Sequence, residues 1–320
     1  MITEKEYLKI RQDPVFIVGY GRSGTTLLQL MLSAHPKVFI APEERKFALY
    51  DLKLLTDMIW NSNYMFPEIS DKKDLQTAIK NLLPKYSDLI LAYYCQARAE
   101  KSGKKNARWG DKFTGNWQFI FRLAKWYVQA QFVHIVRDPR DVVSSIIEHF
   151  PISIRLPKQV VQPHINLAWR WRKAYRVTSN RGHVLGQRRY MMLKYENLVS
   201  ETKPCLKNIS DFLNIEFHDT MLSTDAAVRK NKLSARAMST HGELRHSPHT
   251  QRIGRYSKNL EPWQIRDIEY ICRNEMKELG YKRLSHQVCT KRSFTLRTLS
   301  ILFSMGWMGL RISRRIRSRL

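Results

Sequence analysis

The sequence predicts an α/β fold in which a parallel sheet is flanked by helices on both faces. Three observations lead there. The apolar run Val15-Phe16-Ile17-Val18 ends in a glycine turn that opens straight into a helical pattern. A second apolar run, Gln131–Val136, is entered from one helical pattern and left through another. A third, Arg189–Leu193, follows a further helical stretch. Strands that alternate with helices are the mark of parallel pairing.

Each element has its own local reason. Residues 1–13 carry Glu4, Lys5 and Glu6 and no apolar run, so they read as neither a secretory signal nor a membrane anchor. Val15–Val18 is apolar throughout, as expected of a strand buried on both faces. Gly19-Tyr20-Gly21-Arg22-Ser23-Gly24 is a turn. Thr25–Ala34 has helical spacing at Leu27, Leu28, Leu30 and Met31, and His35-Pro36 stops it. Helical patterns follow at residues 47–60, 72–83, 87–101 and 116–126. The turn at residues 138–141 enters a helix that runs to about residue 150. Helical character returns over residues 164–178, and amphipathic helices are expected at 203–213 and 262–279. No repeat period suggests a solenoid.

With 43% hydrophobic residues the chain can bury a sizeable core. Its charge is lopsided: Lys and Arg total 55 against 28 acidic residues, a net charge of +27. Such a field attracts nucleic acid, anionic lipid or small polyanions without choosing among them. The four cysteines, Cys95, Cys205, Cys272 and Cys289, are far apart and form no C-x-x-C, so they read as reduced thiols rather than as metal ligands or a disulfide framework. His241, His246 and His249 lack helical ligand spacing and read as a polar loop, so no metal is expected.

Composition changes near Leu284. From Tyr281 to Leu320 there are ten basic residues and no acidic one, and within this stretch Leu299–Leu310 is almost wholly apolar. That run is shorter than the roughly 20 residues of a membrane span. Two readings stay open for it, an interfacial anchor on anionic lipid and a terminal helix packed on the protein. The expected organisation is a catalytic domain over residues 1–284 and a basic amphipathic tail over 285–320.

A glycine loop between a strand and a helix aims backbone N–H groups and the helix dipole at one point, which suits a phosphate. Gly19 and Gly24 have the P-loop spacing, yet position 25 is Thr where a nucleoside-triphosphate loop has Lys. The side chains of Arg22, Ser23, Thr25 and Thr26, with backbone amides around Gly24, remain to hold the anion. Val15–Leu32, with Gly-Arg-Ser-Gly-Thr-Thr-Leu-Leu inside it, resembles the 5′-phosphosulfate loop of the sulfotransferase superfamily. Residues 131–145, with Val-Arg-Asp-Pro-Arg-Asp at their centre, resemble that family's 3′-phosphate strand and helix. Trp109-Gly110-Asp111-Lys112, Lys194-Tyr195-Glu196-Asn197-Leu198 and the loop 254–262 extend the likeness to about Tyr281.

The resemblance implies the sulfotransferase fold and a donor, 3′-phosphoadenosine 5′-phosphosulfate (PAPS). It assigns Arg137 and Ser145 to the 3′-phosphate. Tyr195 reads as core or as an adenine or phosphate contact. Arg252 and Lys258 read as further phosphate contacts or as a solvated basic loop. Aryl sulfotransferases of the family place a Lys in the first loop and a His base two residues after a later Lys, whereas this chain has Arg22 and Thr114 there. The tyrosylprotein type has an acidic base 21 residues after the loop Arg and another Arg two further on. Those positions are Glu43 and Arg45, and Lys112 matches that type's separate lysine. The resemblance thus implies Glu43, or its neighbour Glu44, as general base. Lys112 would stabilise charge on the bridging oxygen, with Arg22 on the 5′-phosphate and sulfuryl oxygens.

The expected activity is sulfuryl transfer from PAPS to a hydroxyl of a saccharide, glycolipid or other acceptor. The expected setting is the cytoplasm, peripheral at the inner face of a membrane, with the tail on anionic lipid. An atypical P-loop nucleotide kinase is one competing reading, and Thr25 argues against it. A basic membrane- or nucleic-acid-binding protein without catalysis is another. No nucleic-acid motif supports it, and no nucleic-acid partner is expected.

Overall fold

The computed structural model describes residues 13–41, 91–92, 94–104, 106–149, 163–224 and 250–284. Five strands lie in one sheet: β1 (Val15–Val18), β2 (Val38–Ala41), β3 (Arg108–Lys112), β4 (Gln131–Val136) and β5 (Tyr190–Lys194). All neighbours are parallel, in the order β2-β3-β1-β4-β5. Val15 aligns with Gly110 on one side and Gln131 on the other. The helices are α1 (Thr25–Ala34), α2 (Ile120–Trp126), α3 (Pro139–His149), α4 (Pro163–Leu185), α5 (Tyr195–Ser200), α6 (Thr202–Leu213), α7 (Tyr256–Asn259), α8 (Pro262–Ile271) and α9 (Arg273–Glu278).

The described residues group into two compact units. The first holds the sheet, α1, α2, α5, α6 and α4 from Lys173 onward. Side chains alternate across a strand, so each strand supplies two cores. Phe16, Val18, Phe39, Trp109 and Phe132 face Ile120, Leu123 and Trp126 of α2 and the helical residues around Cys95. Phe16 stacks on Phe132 at 5.4 Å and meets Trp109 edge-on at 6.1 Å. Val15, Ile17, Val38, Ile40, Val133 and Ile135 turn the other way, onto α1, α5 and α6. Arg108 clamps the amino-terminal edge, donating to the Asp13 and Leu213 carbonyls and to Gln131 Oε1, each at 2.6 Å.

The second unit holds α3, the start of α4 and α7–α9. Its centre is the buried Arg140, bound to Asp138 at 2.7 Å and Glu269 at 2.6 Å, with its guanidinium over the Tyr256 ring. Burial opposes that charge, but the Asp138 and Glu269 carboxylates outweigh it and raise the pKa. A buried pair of His164 with Asp267 (3.0 Å) and a part-buried one of Arg172 with Glu275 (2.9 Å) link α4 to α8 and α9.

Several sequence expectations fit closely: β1, α1 and β4 have the expected bounds. The third strand is displaced by one residue, to Tyr190–Lys194. A 3-10 turn over Asn116–Gln118 precedes α2, so the expected 116–126 helix is split. A bend at Cys272 (φ −97°, ψ 10°) divides the expected 262–279 helix into α8 and α9. Helix α4 outruns its expected end by seven residues, to Leu185. It passes through Gly182, where a Cβ would lie 2.2 Å from the Tyr190 ring, so packing rather than propensity sets its length. Strands β2 and β3 were not expected. Residues 47–60, 72–83 and the tail 285–320 lie outside the described residues.

His134 is buried in β4, with Nδ1 2.7 Å from the Tyr190 hydroxyl. Burial lowers its pKa from 6.5 to about 3. Between those values the unfolded chain binds a proton at this site and the folded chain does not, so stability falls as pH drops. The expected slope is about 1.4 kcal/mol per pH unit for this group. Urea midpoints at pH 7 and pH 4.5 should therefore differ less in His134→Phe than in the wild type.

Candidate active site

Parallel strands release their following loops at one edge, and ligands of open α/β sheets bind in the crevice where strand order reverses. Here the reversal is at β1, flanked by β3 and β4. The loop after β1, the last residue of β3 and the residue after β4 are the groups singled out by sequence: residues 19–24, Lys112 and Arg137.

The loop is shaped by two unusual backbone positions. Arg22 has φ +69°, a left-handed conformation that a non-glycine residue holds at a cost of about 1–3 kcal/mol. Gly24, the N-cap of α1, has φ +94°. A Cβ there would lie 2.4 Å from Cδ2 of Tyr195. Helix α1 starts with no side-chain cap and no acidic residue in its first turn, which leaves its dipole open to an anion. Ser23 is 1% exposed, and its buried Oγ has no hydrogen-bond partner among the described residues. Burying such a hydroxyl unmade is costly unless something fills the bond. Thr25 is buried and Thr26 half-buried in the first turn.

Lys112 supplies the cation that the loop lacks at position 25. It is 3% exposed, and its Nζ donates to Thr26 Oγ1 at 3.3 Å. Its neighbour Asp111 accepts a 2.8 Å hydrogen bond from Asn116 Nδ2. Arg137, 5% exposed, donates to the Arg22 carbonyl at 3.3 Å and to the Arg252 carbonyl. Its guanidinium lies over the Tyr195 ring, 4.6 Å from the centroid. The first unit thus gathers Arg22, Ser23, Gly24, Thr25, Thr26, Lys112, Arg137, Tyr195 and Arg252. Arg252 enters through its carbonyl as a holder of Arg137. These donors suit a phosphate or sulfuryl anion: a guanidinium, an ammonium, hydroxyls and helix-start amides.

Ser145 and Lys258 belong to the second unit. Ser145 is half-buried on α3, and Lys258 is exposed on α7. Asp141 in the same unit accepts from the Gly254 N–H at 2.9 Å and the Tyr256 N–H at 3.1 Å, fastening α7 to α3. Sequence reasoning gave Asp141 no role, because nothing in the sequence pairs it with a loop more than a hundred residues away. Strand β2 reaches the donor edge at Ala41, whereas Glu43, Glu44 and Arg45 lie outside the described residues, as do His241, His246 and His249. Among the described residues no cluster of His, Cys, Asp and Glu could hold a metal. Burial pushes the Cys95 and Cys272 thiols up, away from the nucleophilic thiolate. A cavity of about 230 Å³ beside β5 is lined by Met191, Leu193, Asn197 and Cys205, among others, and includes none of the residues gathered at the loop.

The profile of the sulfotransferase family matches residues 14–219. The protein-tyrosine sulfotransferase of Drosophila melanogaster is 25% identical over 228 residues, covering 71% of this chain and 43% of that protein. Protein-tyrosine sulfotransferase 2 of Gallus gallus is 24% identical over 226 residues, covering 70% and 57%. The chain spans about half the length of the curated relatives it matches. The sulfotransferase domain from the curacin biosynthetic pathway superposes with a TM-score of 0.58 at 19% identity, over 85% of this chain and 98% of that one. The sulfotransferase domain of the Synechococcus PCC 7002 olefin synthase gives 0.53 at 21% identity, over 81% and 94%. The fold is that of these domains.

Two of the turn's three glycines, Gly21 and Gly24, should respond differently to a methyl group. Gly24→Ala forces Cβ onto Tyr195 at a left-handed position and should cost about 2–4 kcal/mol in urea unfolding. At Gly21 a Cβ meets nothing within 4 Å, so Gly21→Ala should stay within about 0.5 kcal/mol of the wild type.

Proposed function

The chain belongs to the sulfotransferase family, and we propose that it transfers a sulfuryl group from PAPS to an acceptor hydroxyl. The observation that carries this reading is the buried Ser23 Oγ, without a partner among the described residues, at an uncapped helix start beside the Lys112 ammonium. That site needs an anion to complete it. PAPS would supply an activated sulfuryl group and leave as adenosine 3′,5′-bisphosphate, the acceptor oxygen taking the sulfur and giving up its proton.

The chain's own groups divide the work. Ser23, Thr25, Thr26 and the amides of the first turn of α1 hold the 5′-phosphate. Lys112 stands by Thr26, where an ammonium stabilises charge that builds on the bridging oxygen of the leaving phosphate. Arg22 reaches the 5′-phosphate and sulfuryl oxygens. Arg137, braced by Tyr195 and two carbonyls, receives the 3′-phosphate, with Ser145, Arg252 and Lys258 as further contacts. Glu43 is the proposed base for the acceptor proton, on the strength of its spacing from Arg22. No metal is required, because side-chain cations suffice to offset the anion.

The acceptor is a hydroxyl of a saccharide, a glycolipid or a tyrosyl protein. The basic composition favours the first two when they are anionic, and the named activity of the protein-tyrosine relatives favours the third. The same proposal treats residues 1–284 as the transferase domain and 285–320 as a contact for anionic lipid, in the cytoplasm at the inner face of a membrane. Among the described residues no helix is long and apolar enough to cross a membrane.

Adenosine 3′,5′-bisphosphate should raise the Tm, by the equivalent of about 2.7 kcal/mol at a hundredfold excess over Kd. A folded sample with no shift at millimolar nucleotide would sink the proposal. Lys112→Met should lower sulfuryl transfer from labelled donor by about 10²–10³-fold while nucleotide binding falls far less. Sorting labelled products of a host extract into lipid, saccharide and protein identifies the acceptor. Removing residues 285–320 should weaken co-sedimentation with phosphatidylserine vesicles, and equal binding would rule the tail out as the contact.

A further inference from the structure

We infer that Tyr195 is a positioning residue that ties recognition of the donor's 3′-phosphate to the shape of the 5′ loop. The inference rests on the donor reading above. Tyr195 is 5% exposed and opens α5 directly after β5. Its ring has two neighbours in the site. One is Gly24, so close that a Cβ would lie 2.4 Å from Cδ2 and 3.1 Å from Cε2. The other is the Arg137 guanidinium, 4.6 Å from the ring centroid. Arg137 then returns to the loop by donating to the Arg22 carbonyl at 3.3 Å.

These contacts close a circuit: Gly24, Tyr195, Arg137, Arg22 and back along the loop to Gly24. A guanidinium over an aromatic face is held by the ring's negative quadrupole, which fixes its plane but leaves its N–H edge directed sideways. The ring is therefore the group in contact with both the Gly24 turn and the Arg137 guanidinium. It fixes how far the 3′-phosphate arginine stands from the 5′-phosphate turn, and a donor with both phosphates matches only one such distance. Glycine at position 24 follows from the same fit, since any side chain there would displace the ring and the arginine with it.

The test compares affinities for adenosine 3′,5′-bisphosphate and adenosine 5′-phosphate by calorimetry in the full chain. Their ratio reads out the 3′-phosphate alone. The wild type should prefer the bisphosphate, and Tyr195→Phe should keep the ratio within twofold because the ring remains. Tyr195→Met fills similar volume without a π face and should lower the ratio about tenfold, with the 5′-phosphate affinity changed less than threefold. If that variant fails to fold, pentafluorophenylalanine at position 195 keeps the shape, reverses the ring's quadrupole and should lower the ratio likewise.

Each contrary result has its own meaning. A wild type without preference for the bisphosphate overturns the donor reading itself. A wild-type preference that survives loss of the π face overturns the role of Tyr195 alone. Equal losses for both nucleotides would show a merely structural residue, and loss of the ratio in Tyr195→Phe would transfer the effect to the hydroxyl. Either of these also overturns the inference.

Discussion

Parallel pairing segregates the two ends of every strand, and the chemistry of this protein depends on that segregation. All five strands finish at one edge, so residues far apart in sequence arrive there together. The three adjacent strands β3, β1 and β4 deliver Lys112, the glycine loop and Arg137 as neighbours. Adjacent strands lie about 4.8 Å apart, and that spacing lets an ammonium at the end of β3 reach the first turn of a helix that follows β1. At the opposite edge Arg108 binds the segment that precedes β1, the last residue of α6, and Gln131 at the start of β4. One edge is fastened, and the other is furnished with donors.

The furnished edge is costly to the free protein. Arg22 occupies a left-handed backbone well, Ser23 keeps a hydroxyl unmatched among the described residues, and Lys112 and Arg137 bury two cations at the ends of β3 and β4. Each of these is tolerable singly because the two cores beneath are dense and alternate cleanly across the strands. Together they gather hydrogen-bond donors at the carboxyl edge of the sheet. An anion would complete the Ser23 hydroxyl's bonding and offset the two cations, though not the backbone strain of Arg22, and this supports the polyanionic ligand proposed above.

What the sequence disclosed and what it hid have physical causes. β1 and β4 are central and buried on both faces, so they read as unbroken apolar runs and their bounds came out correctly. Thr25–Ala34 is bracketed by a glycine cap and His35-Pro36, both local signals. β3 is Arg-Trp-Gly-Asp-Lys, with an outward clamp at one end and a functional cation at the other, so neither apolar content nor alternation marks it. β2 has only four residues and follows a helix stop closely, which hides it in a turn. The loop residues and Arg137 could be singled out because a glycine turn before a helix, and an arginine directly after a strand, are local signals in the sequence. Asp141 was not, since its partners are main-chain N–H groups of a distant loop and leave no trace in residue type. Ser145 and Lys258 were named by resemblance, and the structure describes them in a unit of their own.

In the proposed site, the cradle for the anion and its counter-charge reside on different pieces of chain. In a triphosphate loop the lysine is built into the turn, so the loop travels as one cassette. Here the turn carries Thr25, and Lys112 comes from a strand more than eighty residues later. Neither piece is useful without the other, and a single substitution in either leaves half a site. Grafting the glycine loop alone onto another sheet would transplant a receptacle without its charge. The smallest portable form of this chemistry is a pair of adjacent strands with their register, and that pairing is what a designer, or a duplication in evolution, would have to copy intact.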